Sequence, residues 1–459
     1  MKIIGKMFVL AAAVLSLCCA NVFAAEDETY DKLKIMVDVM EIINANYVSE
    51  TESKELAVGA IKGVVRTLDP FSQYMEENDY KEMKNETEGS YSGIGLRIMV
   101  KNGFITVVSP IPGTPAYKAG VLPEDRIIKI DDKSAINMSS DEAVGLMRGK
   151  AGTKVKVTMA RDSIKQEVEF ELTREKIKIE TVKYTMLEDK TVYIRLSEFN
   201  AQSAADIQKA LADYSKQGMK ALVLDLRNNP GGLLDSAIDI CSMFIKERTV
   251  ILTTKGRVEE MKKEYYSKGK GEYTQIPFVI LVNRGSASAS EIVSGAMQDL
   301  KRALIIGANT FGKGSVQSVI PLSDGSALRL TIAKYYLPSG RPIVHSDEKN
   351  ARNGITPDIE IAISPEDEVR LYAQSEMIFS KDKAPKSKVE DKEKIEDIML
   401  NKALELIREN KVRDIIANPK LAVKETKEIK EAKEKEAKEA EEAKEEQEEE
   451  VCIEEEDEE

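Results

Sequence analysis

A chain of 459 residues with 42% hydrophobic side chains is long enough to bury the cores of two or three domains. Its net charge of -13 gathers in the last stretch, from about Glu425, and an acidic balance of this kind excludes a nucleic-acid-binding protein. A single histidine, His345, excludes His-rich metal centres, so no metal site is expected.

Residues 1–25 set Lys2 and Lys6 before an apolar run from Met7 to Ala20 and end in small residues around Phe23-Ala24-Ala25. That is the pattern of a signal peptide, so the mature protein is expected to be exported, to a periplasm or another extracytoplasmic site. The run is too short for a comfortable membrane span, and no later segment offers about 18 uncharged apolar residues. Cys18 and Cys19 lie inside this stretch, but Leu17 and Cys18, the residues before them, are bulkier than a lipobox favours. Cys241 falls in an apolar helical pattern and Cys452 in the charged tail, so a structural disulfide is not expected.

From Tyr30 to Val48 the positions Leu33, Met36, Val37, Met40, Ile43 and Tyr47 recur at helical spacing, and Leu56 to Leu68 repeats the pattern before Asp69-Pro70 breaks it. This module, 28–85, either packs on the domains behind it or joins two copies as a homodimer; the pattern favours neither. Between Gly89 and Arg174, strand-like pieces at Gly93 to Val100, Phe104 to Val108, Arg126 to Ile130, Lys154 to Arg161 and Gln166 to Leu172 surround two short helical patterns. They predict a compact, partly open β-barrel domain. From about Lys178 to Ile363 buried strands alternate with helices, which predicts an α/β domain. Beyond it lie one amphipathic piece, Ile395 to Arg408, and a tail of Glu, Lys and Ala expected to bury no core, either disordered or a solvated single helix held by Glu-to-Lys pairs four residues apart.

Three segments carry the chemistry. In Phe278-Val-Ile-Leu-Val-Asn-Arg-Gly-Ser-Ala-Ser-Ala-Ser-Glu-Ile a buried strand turns into a helix whose start holds Ser286, Ser288 and Ser290. Serines at a helix start are often only caps, but one placed there has orphan N–H groups and the positive end of the helix dipole beside it, which suits a developing oxyanion. A nucleophilic serine needs a base. His345 sits in a Pro/Gly-flanked stretch that reads as a surface loop, whereas Lys313 follows an apolar strand and Phe311, between Gly312 and Gly314. A buried lysine can serve once its pKa drops several units from about 10.4. The spacing Gly307, Gly312, Lys313 also mimics a phosphate-binding loop, but Gly314 stands where such a loop needs Ser or Thr, and Ser315 to Leu322 reads as extended rather than helical. In the third segment, Ala221-Leu-Val-Leu-Asp-Leu-Arg-Asn-Asn-Pro-Gly-Gly-Leu-Leu, the adjacent glycines allow a backbone N–H to face a cleft.

Taken together and in order, these segments resemble the carboxyl-terminal processing, or tail-specific, serine protease family, over nearly the whole mature chain up to about Pro357. Gly285-Ser-Ala-Ser-Ala-Ser-Glu-Ile resembles its nucleophile motif, which implies Ser288 as nucleophile. Phe311-Gly-Lys-Gly-Ser-Val-Gln resembles its base motif, which implies Lys313 as general base and Gln317 as the residue orienting it. Asp225-Leu-Arg-Asn-Asn-Pro-Gly-Gly resembles its oxyanion loop, so that Gly231 or Gly232 would pair with the N–H of Ala289. The family carries a PDZ domain, and Tyr91-Ser-Gly-Ile-Gly-Leu resembles its carboxylate-binding loop, with Gly93, Ile94, Gly95 and Leu96 as peptide-binding residues. Glu124 departs from the pattern, replacing a glycine before Asp125, which puts the shape of that turn in question.

The resemblance implies a multi-domain α/β protein: a signal peptide 1–25, an N-terminal helical module 28–85, a PDZ domain 86–175, a crotonase-like protease core 176–364, a C-terminal helical segment 365–415 and an acidic tail 416–459. It also implies that no cofactor is needed and that the expected partners are protein or peptide substrates, bound by their C-terminal tails. The rival reading is a non-catalytic PDZ scaffold on a degenerate protease fold; such a scaffold would be expected to lack the serine or the lysine. An acyl-CoA hydratase-like enzyme shares a related core but leaves the peptide-binding domain unexplained.

Overall fold

The computed structural model describes residues 29–429, except 102, 162–165, 188, 270, 345–353, 365, 369, 372–373, 375–378 and 380–394. The expected signal peptide, His345, Cys452 and the tail beyond 429 lie outside the described residues. The chain divides into two compact units, Met1–Glu77 with Gln317–Thr331, and Asn78–Val316 with Ile332–Glu459.

In the first unit a helix at 29–46 and a second at Ser53–Arg66 lead into the short strand Gln73–Met75, which pairs antiparallel with Ala327 to Arg329. The break at Asp69-Pro70 is a side-chain-built turn: Asp69 accepts the N–H groups of Phe71 and Ser72 at 2.8 and 2.9 Å and the Ser72 and Thr331 hydroxyls at 2.8 and 3.2 Å. Leu33 and Val37, on the apolar stripe of the first helix, and Tyr47 just beyond its end are exposed.

The second unit holds two cores of its own. One is a sheet in the order Leu96–Lys101, Phe104–Pro110, Arg126–Ile130, Lys154–Arg161, Gln166–Thr173, closed by the helices Pro115–Lys118 and Ser140–Met147 over Ile105, Val107, Ile127, Val157 and Met159. A ribbon of Ser90–Gly93 with Glu175–Lys178 closes its base. Glu124 adopts φ 67, the glycine-like conformation the turn needs, and its exposed side chain pairs with Lys101.

The other core is built on a mixed sheet, Val182–Met186, Thr191–Leu196, Ala221–Asp225, Phe278–Val282, Leu304–Gly307, Ile359–Glu360, parallel from its second strand onward. Helices cover both faces, which is why these strands read as unbroken apolar runs. Ile194, Leu224, Ile280 and Ile305 face the helices Ser203–Lys216, Leu234–Phe244 and Ala289–Asp299; Tyr193, Val223, Val279 and Ile306 face the C-terminal helices Ile398–Arg408 and Val412–Ala417. Cys241 is buried in the first of these layers as a free thiol. A helix at 419–429 is one of the two forms expected for the tail from 416, but Ala422 and Ile429 pack on the second layer, so this part of it does bury core. A hairpin of Val250–Gly256 and Lys263–Tyr266 escaped the periodicity because its register shifts between Val250 and Leu252, which breaks the two-residue alternation.

Candidate active site

The strands Ala221–Asp225, Phe278–Val282 and Leu304–Gly307 are neighbours and parallel, so the loops leaving their C-terminal ends share one edge of the sheet. Those loops are the three chemistry-bearing segments: 226–233 with its paired glycines, 283–288 with its serines, and 308–314 with Lys313. The C-terminal edge of a parallel sheet is where such folds place their sites.

Their hydrogen bonds sort the three serines. Ser286 is fully buried; its hydroxyl donates to the Leu226 carbonyl at 2.8 Å and accepts the Asn283 N–H at 3.0 Å. Ser290 is fully buried too, and its hydroxyl donates to the Asn229 carbonyl at 2.9 Å. Both side chains are spent stitching the glycine loop to the serine loop. Ser288 alone of the three is partly exposed, and its backbone is strained, with φ 52 and ψ -111, immediately before the helix Ala289–Asp299. Conformations of this kind cost about 1–3 kcal/mol and persist where the surroundings over-determine them.

Glu291 supplies that constraint. Its fully buried carboxylate accepts the Ser288 and Lys313 N–H groups on one oxygen, both at 2.8 Å, and the Thr310 hydroxyl and Gly312 N–H on the other, at 2.6 and 2.7 Å. One oxygen atom therefore ties the backbone of the serine to that of the lysine. Burial holds the Glu291 carboxyl above its ordinary range, and the four donors, which favour the ionised form, offset this only in part. Residue-type reasoning assigned Glu291 no role; the signal was present in the spacing Ser288-Ala-Ser-Glu291, which has the capping-box form.

Gly231 lies against the Ser288 turn: a Cβ there would stand 2.8 Å from Ser288 Cβ and 2.9 Å from the Ala289 nitrogen. Its own N–H donates to Asn229 Oδ1 at 2.9 Å. Gly232 has φ +136, and a Cβ would stand 2.0 Å from the Phe199 carbonyl oxygen. Among the described residues, the N–H groups of Gly232 and Ala289 find no protein acceptor. Ser288, Ala289, Gly231, Gly232 and Lys313 thus gather within one unit. Gln317 belongs to the other, where its Nε2 donates to the Phe71 carbonyl at 2.6 Å.

The segment Gly93 to Leu96 borders a groove of about 240 Å³ lined with Leu96, Ile98, Ile111, Val144 and Met147. Strand Leu96–Lys101 ends its sheet, so its outer edge can accept an added strand. Gly95, at φ +84, sits where a Cβ would meet the Thr114 side chain at 2.2 Å.

Residues 190–361 match the model of Peptidase family S41, residues 106–161 that of a PDZ domain, and residues 19–79 that of the Activating protease CtpB N-terminal domain. The Carboxy-terminal-processing protease of Bartonella bacilliformis is 40% identical over 356 residues, covering 77% of this chain and 80% of that one. The chain belongs to the carboxy-terminal processing proteases of peptidase family S41. These are serine-type peptidases, and this chain carries its PDZ domain ahead of the catalytic core. Carboxy-terminal processing protease CtpA of Bacillus subtilis is 38% identical over 68% of this chain and 66% of its own length, so the chain spans just under two thirds of that relative. Among solved structures it is similar to the photosystem II D1 C-terminal processing protease, with 30% identity, a TM-score of 0.42, and coverage of 71% of this chain and 92% of that one.

Proposed function

We propose that this chain is an exported serine endopeptidase that cleaves proteins near their carboxyl ends, using Ser288 as nucleophile, Lys313 as general base and Gln317 to orient the lysine. The observation that carries this reading is the Glu291 carboxylate, which joins the Ser288 and Lys313 backbones through one oxygen while the neighbouring serines are consumed by loop contacts. Neutral Lys313 takes the proton of the Ser288 hydroxyl as its oxygen attacks the peptide carbonyl. The oxyanion is held by the N–H groups of Ala289 and Gly232, Gly231 being committed to Asn229. The lysine then gives its proton to the departing amine as the C–N bond breaks, and water hydrolyses the acyl-enzyme.

The PDZ groove accepts the substrate's tail as an added strand, its terminal carboxylate on the Gly93 to Leu96 segment and an apolar terminal side chain among Ile98, Val144 and Met147. Export rests on residues 1–25, and the N-terminal sequence of the secreted protein tests it. Association through the helices of the first unit is supported by the exposure of Leu33 and Ile42; sedimentation of Leu33→Glu with Ile42→Glu tests that reading.

The decisive experiment is incubation with an unstructured protein ending in apolar residues, beside Ser288→Ala and Lys313→Ala, with cleavage followed by mass spectrometry. Loss of cleavage in both variants supports the Ser/Lys mechanism. A protein that binds the tail without cutting it is instead the peptide-binding scaffold.

A further inference from the structure

Arg227 opens the loop that carries Gly231 and Gly232, two residues after the end of strand Ala221–Asp225. Its guanidinium, 9% exposed, is held between two carboxylates. On one side Nε and Nη2 bond both oxygens of Asp225, which also accepts the Tyr193 hydroxyl at 2.6 Å. On the other, Nη1 and Nη2 reach Oδ1 and Oδ2 of Asp397 at 2.9 and 2.7 Å. Two parallel charged hydrogen bonds fix direction as well as distance. Burial by itself would raise Asp225, but Arg227 holds its carboxyl below the ordinary range, so the centre stays ionised. A small cavity of about 20 Å³ lined by Arg195, Asp225, Arg227 and Asn283 adjoins the cluster, space for about one water molecule.

Asp397 lies 170 positions from Arg227 and in none of the three chemistry-bearing segments. It is the N-cap of helix Ile398–Arg408, its Oδ1 accepting the Leu400 N–H at 3.1 Å. That helix buries Met399, Leu400, Ala403 and Leu406 on the sheet, so Asp397 is placed by a packed element. The loop beyond Arg227 is equally tied. Asn228, at φ 58, exchanges two hydrogen bonds of 2.8 Å with Asn283; the Asn229 carbonyl accepts the Ala287 N–H and the Ser290 hydroxyl; Asn229 Oδ1 holds Gly231. From Asp397 to the glycines, each link is an ion pair, a hydrogen bond or the backbone itself.

We propose that Asp397 is a positioning residue for peptide hydrolysis: through Arg227 it sets the loop Asn228 to Gly232, so that the C-terminal helix is a working part of the oxyanion hole. This rests on the serine-protease reading above. The clamp leaves the substrate tail untouched, so it acts on the chemical step rather than on tail binding.

The test compares the full chain with Asp397→Ser, which keeps a capping oxygen for Leu400 but removes the fork, and Asp397→Glu, which keeps the charge. Asp397→Ser is expected to lower kcat about 10- to 100-fold with KM within about twofold. Amide exchange at 227–233 should quicken about tenfold while helix 398–408 keeps its protection. Asp397→Glu should return kcat to within about threefold of the unmodified protein. Unchanged kcat in Asp397→Ser overturns the proposal, as does equal loss in both variants accompanied by lost protection throughout the helix, the mark of a merely structural role. If the unmodified chain does not cleave at all, the protease reading fails separately. Exchange then decides the clamp: quickening confined to 227–233 sustains it, and unchanged exchange overturns it.

Discussion

Glu291 shows how one buried carboxylate can tie the backbones of two loops together. All four of its contacts are donors, three N–H groups and one hydroxyl. Glu291→Ala leaves those donors unpaired in a dry site, at about 1–3 kcal/mol for each buried group that water does not reach. The expected result is a loss of about 4 kcal/mol or more in denaturant unfolding together with at least a tenfold fall in kcat. Glu291→Gln keeps the volume but turns an amide NH2 toward N–H groups, so it should also fail to restore kcat; recovery to unmodified activity would show that only shape matters at this position. Ser286 and Ser290 illustrate the opposite relation, in which residues with the chemistry of a nucleophile serve as struts.

At the scale of elements, the turn at Asp69 and the helix Ile398–Arg408 make separate tests. Burial opposes ionisation of Asp69, but hydrogen bonds from the Ser72 hydroxyl, the Phe71 and Ser72 N–H groups and Thr331 outweigh it and hold the carboxyl below the ordinary range. A carboxyl depressed in the folded state contributes stability that is present above its unfolded pKa, about 3.9, and lost as the pH falls through its folded value. The thermal midpoint should therefore drop on acidification below about pH 4, and Asp69→Asn should flatten that limb while lowering the midpoint at pH 7. In the helix, Leu406 is fully buried against the sheet. Leu406→Ala should cost about 2–5 kcal/mol in denaturant unfolding; a change below about 0.5 kcal/mol, the level of a surface substitution, would return this helix to the status of a solvated appendage.

For the whole molecule, the proposed function assigns tail selection to the groove beside Gly95 and bond cleavage to the C-terminal edge of the mixed sheet. Gly95→Ala forces a Cβ into the Thr114 side chain from a backbone at φ +84, which displaces the loop proposed to receive the carboxylate. The expected outcome is at least a tenfold rise in KM for substrates with an apolar tail, and unchanged turnover of a short peptide that lacks one. Equal loss on both substrates would mean that the groove contributes to the assembly of the cutting site rather than to recognition.

Much of this was legible in the residues. Unbroken apolar runs such as Phe278–Val282 mark strands covered on both faces, helical spacing marks Ser203–Lys216 and Leu234–Phe244, and the motif residues announce the family. These are local properties, set by which side chains a segment presents to its own surroundings. The rest depends on which strand lies beside which. Only the order of the parallel strands brings the loops after Asp225, Val282 and Gly307 to one edge, and only then do Ser286 and Ser290 find carbonyls 60 and 61 positions away. The hairpin at Val250 was hidden by its register shift, and the expectation of a coreless tail followed from a composition whose few apolar residues, Ala422 and Ile429, meet a partner surface only in the fold. A hydrogen bond or an ion pair between distant residues leaves no period in the chain, so the roles of Glu291 and Asp397 were decided by tertiary structure alone.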